Sequence, residues 1–272
     1  MNEINATRKN FRIFREINSA TTVMMRDLTL FFKSPGTIVL SLAMPLVMMG
    51  MIGGNLMQNM ADSLNFEFGA FMLVGMLVNM MFMITSMGVT SLVDDHETDF
   101  NQEMLIAPVS RYSLVIGKIF GSMVGAIFSI VGTLIVGAFQ GITLPVSKLL
   151  MVLALSPLMC LSGGALALIL IGIIKNKKTA NTAVMLVVTP QMFLSGAIIP
   201  INNTNGVLMV LSRMMPMTYC LDLARSVVYS GTLEYADVVM FSPLANFAIL
   251  TALTFVCLLI GTFLFSQSEK NR

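Results

Sequence analysis

The sequence predicts an all-α membrane protein with six transmembrane helices. Of its 272 residues, 56% are apolar and only 11% are charged, whereas a soluble domain has about 45–50% apolar and about 25% charged residues. Because a helix needs about 20 apolar residues to cross a bilayer, uncharged runs of that length predict the spans. Six such runs are present: Gly36–Leu56, Gly69–Val93, Leu114–Phe139, Leu149–Ile174, Ala180–Ile201 and Pro243–Phe265.

The charged residues lie almost wholly between these runs. Lys118, near the start of the third run, is the one charged side chain inside them, and its long stem is expected to reach the membrane interface. Twelve of the sixteen Lys and Arg residues precede the first run, follow the last one, or lie in the second and fourth loops, and Lys118, just after the second loop, makes thirteen on the same side. Since basic residues are retained on the cytoplasmic side, both termini are predicted to be cytoplasmic, and we expect the plasma membrane of a bacterial cell.

This layout divides the chain into three parts. Residues 1–35 form an N-terminal segment, residues 36–266 form the six-span domain, and residues 267–272 form a cytoplasmic tail. Apolar residues recur in the N-terminal segment at steps of three and four, which places them on one helix face. They are Ile13, Ile17, Ala20, Met24, Leu28 and Phe31. The pattern predicts an amphipathic helix in the cytoplasmic headgroup layer that ends before Pro35; the alternative is a helix packed on a soluble partner.

The second loop, residues 94–113, is predicted to be cytoplasmic and is strongly acidic. Five of the fourteen carboxylates of the chain lie in residues 94–103, together with its only histidine. An apolar group, Met104, Leu105 and Ile106, follows them, and Pro108 then ends the helix. The run is either a solvated charged face or a docking element, because an acidic helix with an apolar tip suits a cleft on a basic partner.

The last outer loop, residues 202–242, is predicted to contain two short helices separated by Pro216. Asp222 and Arg225 are three residues apart in the second helix, where they can pair on one face. Two helices that enter the outer leaflet and return are one interpretation, since backbone at that depth is tolerated when it is helical or covered by protein. An amphipathic pair lying flat on the membrane is the other.

The residue inventory excludes several classes of function. A net charge of +2 is too small for a nucleic-acid binder. The one histidine lies in a cytoplasmic loop, away from any buried serine, and the three cysteines are scattered, so neither a hydrolase nor a metal centre is predicted. The runs hold no carboxylate for proton coupling, and the chain lacks a Walker A loop. A transport engine would therefore be on another chain.

At the acidic loop the sequence resembles the ABC-2 family of ATP-binding-cassette exporter permeases. The family motif runs approximately E-R-E-x-G-T-L-E-x-L-L-x-x-P-V/I-S-R, with G-K at the start of the third span. Residues 95–111 read DHETDFNQEMLIAPVSR, and Gly117 and Lys118 follow. The G-T-L-E part is replaced by Asp99-Phe100-Asn101-Gln102. Residues 193–201 resemble the motif F-L-S-G-x-x-x-P-x, and the segment Pro216, Thr218, Tyr219, Asp222 and Arg225 resembles P-x-T-Y/H-x-x-D-x-x-R.

The resemblance implies a type V exporter-like fold that covers essentially the whole chain. It implies a separate ATPase subunit in two copies, which would hold ATP and Mg while this chain binds no cofactor and catalyses no reaction. It also implies a second permease chain, identical or different, with a pathway along the second and fifth spans capped by outer re-entrant helices around Pro216, Tyr219, Asp222 and Arg225. The N-terminal helix and the second loop would seat on the ATPase. The residues assigned to that coupling are Asp95, Glu97, Glu103, Met104, Leu105, Ile106, Pro108 and Arg111.

A permease with these spans would suit an amphipathic or lipophilic cargo such as a drug, antibiotic or peptide. The candidate pathway residues are Asn79, Met80, Phe82, Gln191, Met192 and Phe193. In a chain with 26 methionines these residues can equally face lipid or a neighbouring span. The alternative function is that of a non-transporting membrane scaffold or sensor whose acidic loop holds a cytoplasmic protein.

Overall fold

The structure is a computed structural model that describes residues 2–54, 59, 66–97, 111–174, 176–201 and 206–270. All regular structure in these ranges is helical. The predicted coupling residues Glu103, Met104, Leu105, Ile106 and Pro108 lie outside the described residues. The fold class is therefore all-α, as predicted.

The chain begins with two helices joined at nearly a right angle. Helix α1 covers Asn2–Lys33, and α2 covers Pro35–Val47 before continuing as a π-helical segment, Met48–Gly53. The two axes meet at 83°. Pro35 occupies the first turn of α2, where its missing N–H costs no helical hydrogen bond. The bend thus falls at the proline that the sequence predicted.

Three long helices follow, and each of them is long and apolar enough to cross a membrane. Helix α3 is Phe68–Glu97, α4 is Arg111–Phe139 and α5 is Val146–Ile173. Helix α3 is the centre of the bundle, because 89% of its most apolar stretch is buried inside the chain. It contacts α4, α5 and α6. The end of the bundle beside α1 is the predicted cytoplasmic or inner end, and the opposite end is the predicted outer end.

Helix α6, Lys177–Leu194, corresponds to the predicted fifth span but is shorter than expected. The side chain of Asn176 accepts a hydrogen bond from the backbone N–H of Thr179 and caps its start. The helix ends seven residues before Ile201, at a turn in which Gly196 has a positive φ of 78°. With 18 residues, several of them polar, α6 is not among the helices that qualify as spans by length and composition.

The last part of the chain contains a bent pair of short helices and one long helix. Helix α7 is Val207–Met214 and α8 is Pro216–Val228, and their axes differ by 81°. The short α9, Tyr235–Val238, precedes α10, Pro243–Lys270, which packs mainly on α5. In the described part of the chain, four helices qualify alone as spans, or up to six if each bent pair counts as one. The predicted count of six thus stays a prediction.

A stripe of small residues on α4 provides close contacts with three other helices. Gly117 meets α1, Ser129 donates a hydrogen bond to the carbonyl of Ser41 in α2, and Gly137 meets Leu73 of α3. Small side chains let helix backbones approach closely. The stripe, which recurs every fourth residue, therefore serves helix packing.

Candidate functional site

The inner end of the bundle carries the predicted ATPase-coupling element. Helix α3 continues without a break to Glu97, so Asp95 and Glu97 belong to its last turn, and Arg111 is the first residue of α4. The acidic run therefore begins on α3, the most buried of the four helices that qualify alone as spans, and the chain continues through residues 98–110 to α4. A force applied to this loop would act directly on α3 and α4.

Helix α1 packs along the inner half of α4. A Cβ atom added to Gly117 would lie 2.5 Å from the carbonyl oxygen of Ala20, and one added to Gly121 would lie 2.8 Å from the Cβ of Asp27. The hydroxyl of Ser113 donates to the Glu16 carboxylate. The contact face includes polar residues, whereas Ile17 of the predicted apolar face is 58% exposed. Neither interpretation of α1 from the sequence included this contact with α4.

A buried ion pair joins α1 to α4. The ammonium of Lys118 lies 3.1 Å and 3.0 Å from the two carboxylate oxygens of Asp27. Lys118 is only 4% exposed. Helix α1 covers this side chain and supplies its counter-charge, and the expectation that its stem reaches the membrane interface stays a prediction.

The predicted pathway residues lie mostly inside the chain. Met80 and Phe82 of α3 are buried, as is Met192 of α6, whereas Phe193 is exposed. Asn79 and Gln191 are also buried, at 2% and 1% exposure. Their role in a pathway stays a prediction.

The two buried amides lie at the same depth in the bundle. Thr90 of α3 donates a hydrogen bond of 3.2 Å to Asn181 of α6, which sets the register of these helices. At about 1.5 Å per residue, Asn79 lies about 16 Å outward from Thr90, and Gln191 about 15 Å outward from Asn181. The two amides therefore differ in depth by about 2 Å.

Each of these amides has a carbonyl oxygen without a hydrogen-bond partner. The nitrogen of Asn79 contacts the sulfur of Met217 at 3.9 Å, and that of Gln191 donates to the carbonyl of Val187 at 3.4 Å. The oxygens Oδ1 of Asn79 and Oε1 of Gln191 are buried and accept no hydrogen bond in the structure. Because an unsatisfied buried acceptor costs about 1–3 kcal/mol, these two atoms are candidates for binding a ligand or water.

At the outer end, α8 carries the residues of the predicted re-entrant segment. Pro216 is the first residue of α8, and the hydroxyl of Tyr219 donates 2.7 Å to the carbonyl of Arg213 in α7. The hydroxyl of Thr218 donates 2.6 Å to the carbonyl of Ser212. These bonds fix the sharp angle between α7 and α8.

Asp222 anchors α8 to the beginning of the last long helix. Its carboxylate accepts hydrogen bonds of 2.8 Å from the backbone N–H groups of Met240 and Phe241 and from the side chain of Asn246. Hydrogen bonds to a buried carboxylate are stronger than neutral ones. The sequence suggested instead that Asp222 pairs with Arg225, but within the described chain these two side chains use different partners.

Arg225 is buried at 3% exposure and points toward α3 and α6. Its Nη2 donates to the carbonyl of Gly196 at 2.7 Å, and its guanidinium lies 3.5 Å from the ring centroid of Phe71. Tyr229 follows one helical turn after Arg225, and its hydroxyl donates a hydrogen bond of 3.2 Å to the carbonyl of Glu67. Burial raises the pKa of this tyrosine above its ordinary value. Phe71, Gly196 and Glu67 are 29 to more than 150 residues away along the chain from their partners, so no local pattern in the sequence predicts these pairings.

No group of three or more His, Cys, Asp or Glu side chains that could hold a metal ion occurs in the described part of the chain. The polar groups that do come together are the inner ion pair, the two mid-depth amides and the outer Asp222 and Arg225 network. Several helices long and apolar enough to cross a bilayer define a multi-pass membrane protein. Charged side chains therefore lie near the inner and outer ends of the bundle, and the uncharged carbonyl oxygens of Asn79 and Gln191 lie between them.

Comparison with known proteins identifies the family. The sequence pattern of the ABC-2 type transporter family matches residues 19–229, and the chain belongs to that family. The chain is also 28% identical over 134 residues to Nodulation protein J of Rhizobium meliloti strain 1021. That alignment covers 49% of this chain and about half, 51%, of the relative. The resemblance deduced from the loop motif is thereby confirmed.

Proposed function

We propose that the chain is the membrane-spanning permease subunit of an ATP-binding-cassette exporter. Two copies of a separate cytoplasmic ATPase would bind ATP and Mg, and a second permease chain would complete the pathway. Both termini would lie in the cytoplasm of a bacterial cell. Family membership and the path of α3 support this proposal.

The observation that carries the proposal is the continuity of α3 between the acidic loop and the core. Helix α3 extends from Phe68 at the outer end to Glu97 at the loop, with its apolar part buried among α4, α5 and α6. A helix of 30 residues is rigid over about 45 Å. Closure of the ATPases on the loop would therefore move the centre of the bundle, provided that the two ATPase states bind the loop differently.

The cargo would be amphipathic or lipophilic, for example a drug, antibiotic or peptide. The carbonyl oxygens of Asn79 and Gln191 are buried in a bundle rich in methionine, and Met217 contacts the Asn79 nitrogen. A pathway that opens here would offer a flexible apolar wall and two acceptors for a cargo hydroxyl or N–H group.

Replacing Glu97 or Leu105 by Ala tests the coupling. We expect each variant to insert normally into the membrane but to lower the substrate-stimulated ATPase activity of the reconstituted complex. The charge and the apolar tip are both expected to contact the ATPase. Unchanged coupling in both variants contradicts the assignment and favours the alternative of a non-transporting scaffold or sensor.

A further inference from the structure

The turn that ends α6 is held tightly against α3. A Cβ atom added to Gly75 would lie 1.9 Å from the carbonyl oxygen of Ala197, so only glycine allows this approach. The turn itself depends on Gly196, whose φ of 78° favours glycine. Ser195, Ala197 and the glycine between them are buried. The outer end of α6 is thus seated on α3 by backbone contact.

Arg225 holds the same turn from the other side. Its guanidinium donates to the carbonyl of Gly196 at 2.7 Å and lies over the ring of Phe71 at 3.5 Å. A second carbonyl, that of Ala197, lies 3.5 Å from the same nitrogen. One side chain therefore links the end of α6 to the start of α3, by a charge-assisted hydrogen bond and a cation–π contact.

Asp222 and Arg225 attach α8 to its two neighbours with hydrogen bonds of different number and length. Asp222 connects α8 to the residues before α10 through three hydrogen bonds of 2.8 Å. Arg225 connects α8 to the α6 turn through one hydrogen bond of 2.7 Å and one long one of 3.5 Å from the same nitrogen. Helix α8 is therefore fixed to the last long helix, and the contact with the turn is the one that can separate first.

We propose that Arg225 is a positioning residue that clamps the outer end of α6 to α3 and keeps these two helix ends together. Its release from the Gly196 carbonyl frees the turn and lets the two ends separate. The inference rests on the proposed function, because α3 and α6 carry the candidate pathway residues. A cargo that moves outward along these helices must pass this turn.

Thiol labelling of the turn tests the clamp in the full-length chain. Ala197→Cys places a thiol in the buried turn, in a background in which the partly exposed Cys257 is replaced by Ala. Intact cells are treated with a membrane-impermeant maleimide, and the labelling rate is followed. The buried native thiols of Cys160 and Cys220 report on general unfolding in the same molecule.

Two variants weaken the clamp from different sides, and a third serves as a control. Arg225→Gln removes the charge and the hydrogen-bond fork, whereas Phe71→Leu removes only the aromatic face. The control, Arg213→Gln, alters an exposed outer arginine that lies over Phe241 at 5.6 Å and does not touch the turn. Both Arg→Gln replacements lower the net charge of the chain by one.

We expect Arg225→Gln to raise the labelling rate at residue 197 about ten-fold, as loss of one charge-assisted hydrogen bond predicts. Phe71→Leu should raise it less, and Arg213→Gln should leave it unchanged. Cys160 and Cys220 should stay protected in all three variants.

The proposal is overturned if the rate at residue 197 is unchanged in both clamp variants. It is also overturned if both variants expose the three thiols together, because the contacts then support only the general fold. The assay needs neither ATP nor cargo. Its failure therefore leaves the exporter assignment standing, whereas normal coupling in the Glu97 and Leu105 variants contradicts the exporter and leaves the clamp intact.

Discussion

The residues that matter most are polar side chains placed in an apolar bundle. Burying an amide without its hydrogen bonds is unfavourable, so Asn79 and Gln191 must be compensated by a function or by the rest of the fold. Their depth is the same within about 2 Å because α3 and α6 run antiparallel from the contact between Thr90 and Asn181. Two unsatisfied acceptors at one level are what a binding site for hydrogen-bond donors requires.

Replacing Asn79 or Gln191 by Leu should separate function from stability. Removal of an unsatisfied carbonyl is expected to leave the free energy of unfolding unchanged or to raise it by about 1 kcal/mol. Substrate-stimulated ATPase activity of the reconstituted complex should fall several-fold, since the cargo loses an acceptor. Stability is measured by unfolding in mixed micelles.

Thr254→Val is the matched control for this prediction. The Thr254 hydroxyl in α10 is also buried without a partner, but it lies on the peripheral helix. Its replacement should leave the ATPase activity unchanged. Equal losses of activity in the Thr254 and Asn79 variants would show that the amides have no special role.

At the scale of elements, the sequence predicted where helices end better than it predicted what they touch. The breaks fall at Pro35 and Pro216 as expected, and in the structure each proline is the first residue of the next helix, because proline fits the first turn. The fifth span was expected to reach Ile201, but the helix ends at Leu194 and Gly196 turns the chain. An uncharged run predicts that its residues avoid water. The turn after Leu194 is buried and so fits this prediction, although it is not helical.

Long-range pairs could not be predicted from the sequence. Lys118 is 91 residues from Asp27. Its position near the start of the third apolar run indicated only that its side chain could reach the membrane interface. Small residues that recur at every fourth position around Gly117 indicate a close helix crossing, but they do not identify α1 as the partner. Periodicity shows which face packs, whereas the identity of the neighbour depends on the folding of the whole chain.

The ion pair between Asp27 and Lys118 should stabilise the contact of α1 with α4. Lys118→Met removes the buried counter-charge of a largely buried carboxylate, leaving only the more exposed Arg26, and is expected to cost about 3 kcal/mol of unfolding free energy. The double variant Asp27→Leu/Lys118→Met should recover most of this loss, because two apolar side chains replace a buried pair at little cost. Unfolding in mixed micelles measures both.

Arg26→Gln provides the control for this cycle. Arg26 also lies near Asp27, at 3.4 Å, but its side chain is 22% exposed. Its removal should cost less than about 1 kcal/mol, as for pairs at a surface. A double variant that is no more stable than Lys118→Met would contradict the interpretation that an uncompensated charge causes the loss.

In the whole molecule, α3 connects the inner loop, the buried amides and the outer turn. The acidic loop follows the inner end of α3, the unsatisfied amides lie beside its middle, and Phe71 near its outer end contacts Arg225. A movement imposed at the inner end would reach the outer turn through α3 itself. A scaffold subunit would need no such connection.

The most direct test measures whether ATP changes the outer end of the bundle. The chain with Ala197→Cys and Cys257→Ala is reconstituted with its ATPase in vesicles, and maleimide labelling at residue 197 is followed with and without ATP. The account predicts that ATP raises the labelling rate several-fold and that Leu105→Ala abolishes the increase. A labelling rate that is the same with and without ATP in the chain with intact Leu105 would contradict it.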